Sequence, residues 1–76
     1  MYFDRKKLRA LRESQNISQE QLAIKVGTSN RNYYRWEAGT AIPSLSQYFF
    51  LREYFGKDIY TLEDPNSEPE QEQPAQ

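Results

Sequence analysis

Apolar residues recur at helical spacing in four stretches of this chain, and nowhere do they alternate at strand spacing. In the first stretch Leu8 and Leu11 face one way, and Asp4 can cap a helix running to about Gln15. Its other side carries Arg5, Lys6, Lys7 and Arg9, and Asn16 fits its end. In the second, Leu22, Ala23 and Val26 form one apolar face. Ser18 and Gln21 have capping-box spacing, Ile17 and Leu22 have that of a hydrophobic staple, and Gly27 ends the run. The third begins at Ser29, an N-cap, buries Tyr33 and Trp36 three residues apart, and stops at Gly39. Pro43 closes the connector Thr40-Ala41-Ile42 and forbids helical continuation from the preceding turn. Ser44 and Gln47 form a second capping box for a fourth helix that ends at Gly56. Leu45, Tyr48, Phe49, Leu51 and Phe55 are its predicted core side, which leaves Phe50 and Tyr54 off that face. Asp58 caps a last short turn holding Ile59 and Leu62. The pattern predicts an all-α fold, a compact bundle of four to five short helices.

From Glu63 onward the composition changes to Pro, Glu, Gln, Asn and Ser, with no apolar residue larger than Ala75. Such a segment cannot bury enough surface to offset the entropy of ordering, so residues 63–76 are expected to be a disordered acidic tail after a domain at 1–62. Charge follows the same division. All ten Lys and Arg lie in 1–62 against six acids, giving +4, whereas the tail holds five acids and no base. The overall −1 therefore conceals a basic folded part.

At 76 residues there is room for one small domain, whose core is marginal in size. Nine of the eleven aromatics fall between Tyr33 and Tyr60 and supply large side chains to fill it. The absence of Cys and His excludes disulfides and thiolate metal sites, and removes the usual transition-metal ligands and the commonest general base. No phosphate loop or nucleophile–base pair is visible. An enzyme is not expected, and neither a cofactor nor a small-molecule substrate. No apolar run approaches the ~18 residues of a membrane span, and Met1-Tyr2-Phe3-Asp4 does not open a signal peptide, so a cytoplasmic protein is expected.

The third helix carries the most chemistry. Asn30, Arg31, Asn32, Tyr34 and Arg35 project away from Tyr33 and Trp36, and a helix offering amides and guanidiniums outward suits base edges in the DNA major groove. The segment SQEQLAIKVGTSNRNYYRWEAG, residues 18–39, resembles the helix-turn-helix of the Cro/CI-type (XRE) family of DNA-binding regulators. The resemblance rests on Ser18-Gln19, Leu22-Ala23, Gly27 and Trp36-Glu37-Ala38-Gly39. Leu8, Leu11, Arg12, Pro43-Ser44-Leu45, Leu51, Phe55, Gly56, Ile59 and Leu62 extend it over about residues 3–62.

The resemblance implies a lambda-repressor-like DNA-binding domain. By position it carries base contact onto Asn30, Arg31, Tyr34 and Arg35, and backbone contact onto Gln19. Ser29 and Asn16 are further candidates for phosphate contact, with Asn32 on the flank. It also implies a structural salt bridge between Arg12 and Glu37. Three departures stand out. Tyr33 occupies a position usually held by Ile, Val or Leu, so the helix pair is spread or the hydroxyl reaches the surface. Arg52 replaces a small residue, which suggests a local salt bridge. The connector lacks basic residues, which puts more weight on dimerisation, and Phe50 and Tyr54 are possible dimer contacts.

The expected function is sequence-specific binding of double-stranded DNA by a transcriptional regulator, a repressor working as a homodimer on a two-fold symmetric operator, with no membrane partner. Two alternatives are an antitoxin or restriction-controller type of DNA-binding protein with a protein partner, and a protein-interaction module that has lost DNA binding. The acidic tail is expected to compete with DNA for the basic face.

Overall fold

A computed structural model describes residues 2–62, so the expectation of a disordered tail at 63–76 falls outside the described residues. Four helices follow in chain order, α1 (Arg5–Ser14), α2 (Gln19–Val26), α3 (Asn30–Ala38) and α4 (Leu45–Phe55). A two-residue strand precedes them, β1 (Tyr2–Phe3), and another closes the fold, β2 (Tyr60–Thr61). Every helix starts where its sequence offers a side-chain acceptor. Asp4 accepts from the Lys7 amide, Ser18 from Gln21, Ser29 from Asn32 and Ser44 from Gln47. In α2 and α4 the Gln side chain returns to the cap's own N–H, completing both capping boxes. Asn16 takes the left-handed conformation at φ 56°, which its short polar side chain tolerates, and turns the chain from α1 toward α2.

The core gathers Leu8 of α1, Leu22 and Ala23 of α2, Tyr33 and Trp36 of α3, Leu51 of α4, and Ile59. Tyr33 and Trp36 meet nearly edge-to-face, their ring centroids 5.3 Å apart at 65°. Tyr33 does not reach the surface. It is fully buried.

Two expectations are corrected. The chain after Asp58 is not a helical turn, so of the four to five helices expected the described residues form four. The Asp58 carboxylate accepts the Tyr60 amide two residues on, at 3.1 Å, and also the Tyr48 hydroxyl at 2.8 Å. That local bond turns the backbone into extended geometry. Tyr60–Thr61 then pairs antiparallel with Tyr2–Phe3, Phe3 opposite Tyr60, although no strand alternation is visible in the sequence. The Asp4 amide donates to the Ile59 carbonyl at 2.8 Å, so the ribbon ties the start of α1 to the end of the domain. Ile59 is buried as expected, but Leu62 is 83% exposed and closes nothing.

The second correction concerns α4. Leu45 and Phe49, assigned to the core side, are 67% and 52% exposed. Phe50 and Tyr54, assigned outside it, are partly buried against the core with parallel rings 5.7 Å apart. Tyr48, Tyr54 and Phe55 surround Leu51 at helical offsets of three and four, and this is the inward face. Arg52 is exposed and makes no ion pair among the described residues.

Candidate nucleic-acid interface

Glu37 organises the site. Its side chain is 5% exposed, so its charge has to be matched inside the protein. Arg12 meets it in a two-pronged contact, Nε to Oε2 at 2.7 Å and Nη2 to Oε1 at 3.3 Å. The expected Arg12–Glu37 bridge is therefore present. Two further donors converge that sequence reasoning did not foresee, the Tyr33 hydroxyl on Oε2 and the Gln19 side-chain amide on Oε1 at 3.0 Å. Arg12 also donates through Nη1 to the Ile17 carbonyl at 2.8 Å. One carboxylate on α3 thus joins Arg12 of α1 and Gln19 at the start of α2, and Arg12 carries the network on to the α1–α2 turn.

Burial opposes the charge on Glu37, but the hydrogen bonds from Arg12, Tyr33 and Gln19 outweigh it and hold the carboxyl below its ordinary range. The Glu37 hydrogen bond raises Arg12 against the effect of its own burial. Burial pushes the Tyr33 phenol far up, and its bond to Glu37 adds to the shift, so it stays a donor.

Arg5 was placed on the solvated face of α1, and the structure corrects this. It is partly buried and donates to the Glu37 carbonyl at 3.2 Å, near the negative end of α3. Its stem lies over Gly39, where a Cβ would stand 2.7 Å from Arg5 Cδ. Gly39 also has φ 85°, so both its backbone and its neighbour demand glycine.

The outward side of α3 is open. Asn30, Arg31, Tyr34 and Arg35 are all exposed, and their side chains have no hydrogen-bond or ion-pair partner among the described residues. Asn30 and Tyr34, and likewise Arg31 and Arg35, are four apart and so are neighbours on the helix surface. Asn32 is partly buried and its amide donates to Thr28 Oγ1 at 2.8 Å, which ties it into the turn before α3. Ser29 accepts the Asn32 amide at 3.0 Å and keeps its own hydroxyl hydrogen for an outside acceptor. Asn16 is exposed at the far turn, and Gln19 is half-buried with one amide hydrogen directed to Glu37.

A left-handed Gly27 ends α2 and returns its N–H to the Ala23 and Ile24 carbonyls, and Ser29 begins α3 two residues later. The Helix-turn-helix family profile matches residues 8–62, which holds all of this geometry. The chain belongs to the helix-turn-helix family. It is similar to an uncharacterized HTH-type transcriptional regulator of Methanocaldococcus jannaschii, with 38% identity over 61 residues covering 76% of this chain and 92% of the relative. No solved structure matches it. The helix-turn-helix is α2, the Gly27–Ser29 turn and α3, as the sequence resemblance implied. Among the described residues no helix is long and apolar enough to cross a membrane, and no group of three or more acids stands where it could hold a metal ion.

Proposed function

We propose that this protein is a sequence-specific transcriptional regulator of double-stranded DNA, a cytoplasmic repressor that acts as a dimer without catalysis. The observation that carries the reading is the free outer face of α3, held by the Glu37 network on the second helix of a helix-turn-helix. In such motifs the second helix enters the major groove. Arg31 and Arg35 are suited to guanine O6 and N7 and Asn30 to adenine, each good two-pronged contact discriminating by about 1–3 kcal/mol. Ser29, Asn16, Gln19 and Asn32 flank that face as contacts to the backbone. Family membership and the described role of the archaeal relative support DNA-binding regulation of transcription.

The dimer places two α3 helices on half-sites about one helical turn apart and blocks polymerase sterically. Its seam is better supplied by the exposed apolar side chains Ile42, Leu45 and Phe49 than by Phe50 and Tyr54, which are committed to the core. Selection of bound duplexes from a random library, with wild type beside Arg31→Ala/Arg35→Ala, tests the whole. A two-fold symmetric motif that the double variant loses or relaxes is expected. If wild type enriches nothing even at low salt, DNA binding is wrong and a protein-interaction module takes its place.

A further inference from the structure

The last turn of a helix leaves main-chain carbonyls that no amide of the helix itself can reach. In α3 the Arg35 and Trp36 carbonyls accept from the Gly39 amide, and Arg35 also from Thr40. The next carbonyl, that of Glu37, is met from 32 residues away by Arg5 Nη1 at 3.2 Å. Arg5 makes no ion pair among the described residues, so its guanidinium is directed to the main chain of α3 and not to a side chain. A bond to a carboxylate holds a rotamer, whereas a bond to a carbonyl holds the helix. The Arg5 stem adds to the grip, crossing Gly39 so closely that a Cβ there would stand 2.7 Å from Cδ and 2.9 Å from Nε. The negative end of the helix dipole favours a cation at this place.

Arg5 is itself firmly rooted. It is the first residue of α1, and beside it the Asp4 carboxylate accepts from the Lys7 amide while the Asp4 amide donates to the Ile59 carbonyl. The guanidinium therefore reaches α3 from the junction of α1 with the ribbon. The other end of α3 is tied separately, by the Ser29 cap and the bond from Asn32 to Thr28. With nine residues α3 is about 13 Å long, so a tilt of about 5° around that turn moves its far end by about 1 Å. Recognition groups have to be held within about 0.5 Å, and Arg35 lies in the half of α3 that such a tilt displaces most. We propose that Arg5 is a positioning residue for DNA recognition, setting the tilt of α3 by holding its C-terminal carbonyl from the first turn of α1. The inference rests on the DNA-binding reading above and gives Arg5 no contact with DNA.

The test compares Arg5→Met and Arg5→Lys with wild type on the full chain, at a temperature where circular dichroism shows all three folded. Affinity is measured against salt for the duplex recovered by selection and for a scrambled one. Arg5→Met is expected to lower the preference for the selected duplex by about fivefold or more, the low end for one two-pronged base contact, with the salt slope unchanged. Arg5→Lys keeps a cationic donor for the carbonyl and should restore most of the preference. Amide hydrogen exchange without DNA gives a second readout. The Gly39 and Thr40 amides should exchange several-fold faster in Arg5→Met, while those of Leu22 and Gly27 stay as in wild type. An equal loss on both duplexes with a slope lower by about 0.9 would make Arg5 a phosphate contact and overturn the proposal. A lower melting temperature with the preference intact would make it a structural residue only, and unchanged exchange would deny its hold on α3; each overturns the proposal too. If wild type prefers neither duplex, the DNA-binding reading fails and the recognition role with it, while exchange still reads the hold on α3 by itself.

Discussion

Replacing Glu37 with Ala deletes the acceptor on which Arg12, Tyr33 and Gln19 converge. Arg12 keeps its bond to the Ile17 carbonyl and a 3.9 Å contact with the exposed Glu13 carboxylate, but its side chain is only 12% exposed and cannot swing into water without losing packing. Removing one partner of a buried ion pair costs about 3–5 kcal/mol, because the other charge is left unmatched. The orphaned Tyr33 hydroxyl acts in the same direction. A domain of this size holds roughly 3–9 kcal/mol in total, so the variant is expected near the edge of unfolding. At about 4–8 °C per kcal/mol, its melting temperature should fall by at least about 12 °C. Urea and thermal denaturation followed by circular dichroism measure the two quantities on the full chain, with Arg12→Ala and the double variant completing a cycle. The cycle should give a coupling of at least about 1 kcal/mol between the two side chains, as expected for groups in one network. Arg12→Met/Glu37→Leu should recover most of the loss, since an apolar pair of similar volume leaves no buried charge. A cost below about 1 kcal/mol for Glu37→Ala, or no coupling in the cycle, would refute the reasoning.

The same carboxylate contributes to the loss of stability in acid, as does Asp58. The folded value of Glu37 lies below the ordinary 4.5, so its contribution is complete above that pH and is lost as pH falls through the lower folded value. Melting temperature against pH should therefore drop on the acid side in wild type and drop less steeply in Glu37→Gln, where the Asp58 contribution remains. Tyr33 has the opposite sign, since its raised value makes its contribution complete below pH 10 and lost at more alkaline pH, and Tyr33→Phe should remove that alkaline loss. On α4, Phe50→Ala should cost about 1.5–2.5 kcal/mol and Phe49→Ala less than about 1, in proportion to burial; equal costs in urea denaturation would contradict the inward face described here. Deleting residues 63–76 removes five acids and no base, and should raise affinity for non-specific duplex at low salt; unchanged affinity would exclude competition by the tail.

Local chemistry explains why so much was legible in the chain alone. A capping serine, a glutamine three residues on and a left-handed glycine act within one turn, so the limits of α2 and α3 follow from a few adjacent side chains. The outward position of Asn30, Arg31, Tyr34 and Arg35 follows from the helical period once Tyr33 and Trp36 are placed inside. The Arg12–Glu37 bridge was legible only through family resemblance, because the two are 25 residues apart.

Tertiary structure decided the rest. Helix α4 carries aromatic or aliphatic residues at positions 48–51, 54 and 55, nearly all round, so its period names no face. Packing against α2 and the ribbon selects one, partly burying Phe50 and Tyr54 and leaving Leu45 and Phe49 exposed. The pairing of Tyr2–Phe3 with Tyr60–Thr61 joins the two ends of the domain, which no local pattern announces. Nor does the sequence reveal that Gln19 and the Tyr33 hydroxyl turn to Glu37, or that Arg5 crosses 32 residues to the end of α3. Helix limits are settled by bonds between neighbours in the chain, whereas the partner of a buried charge exists only after distant segments have packed.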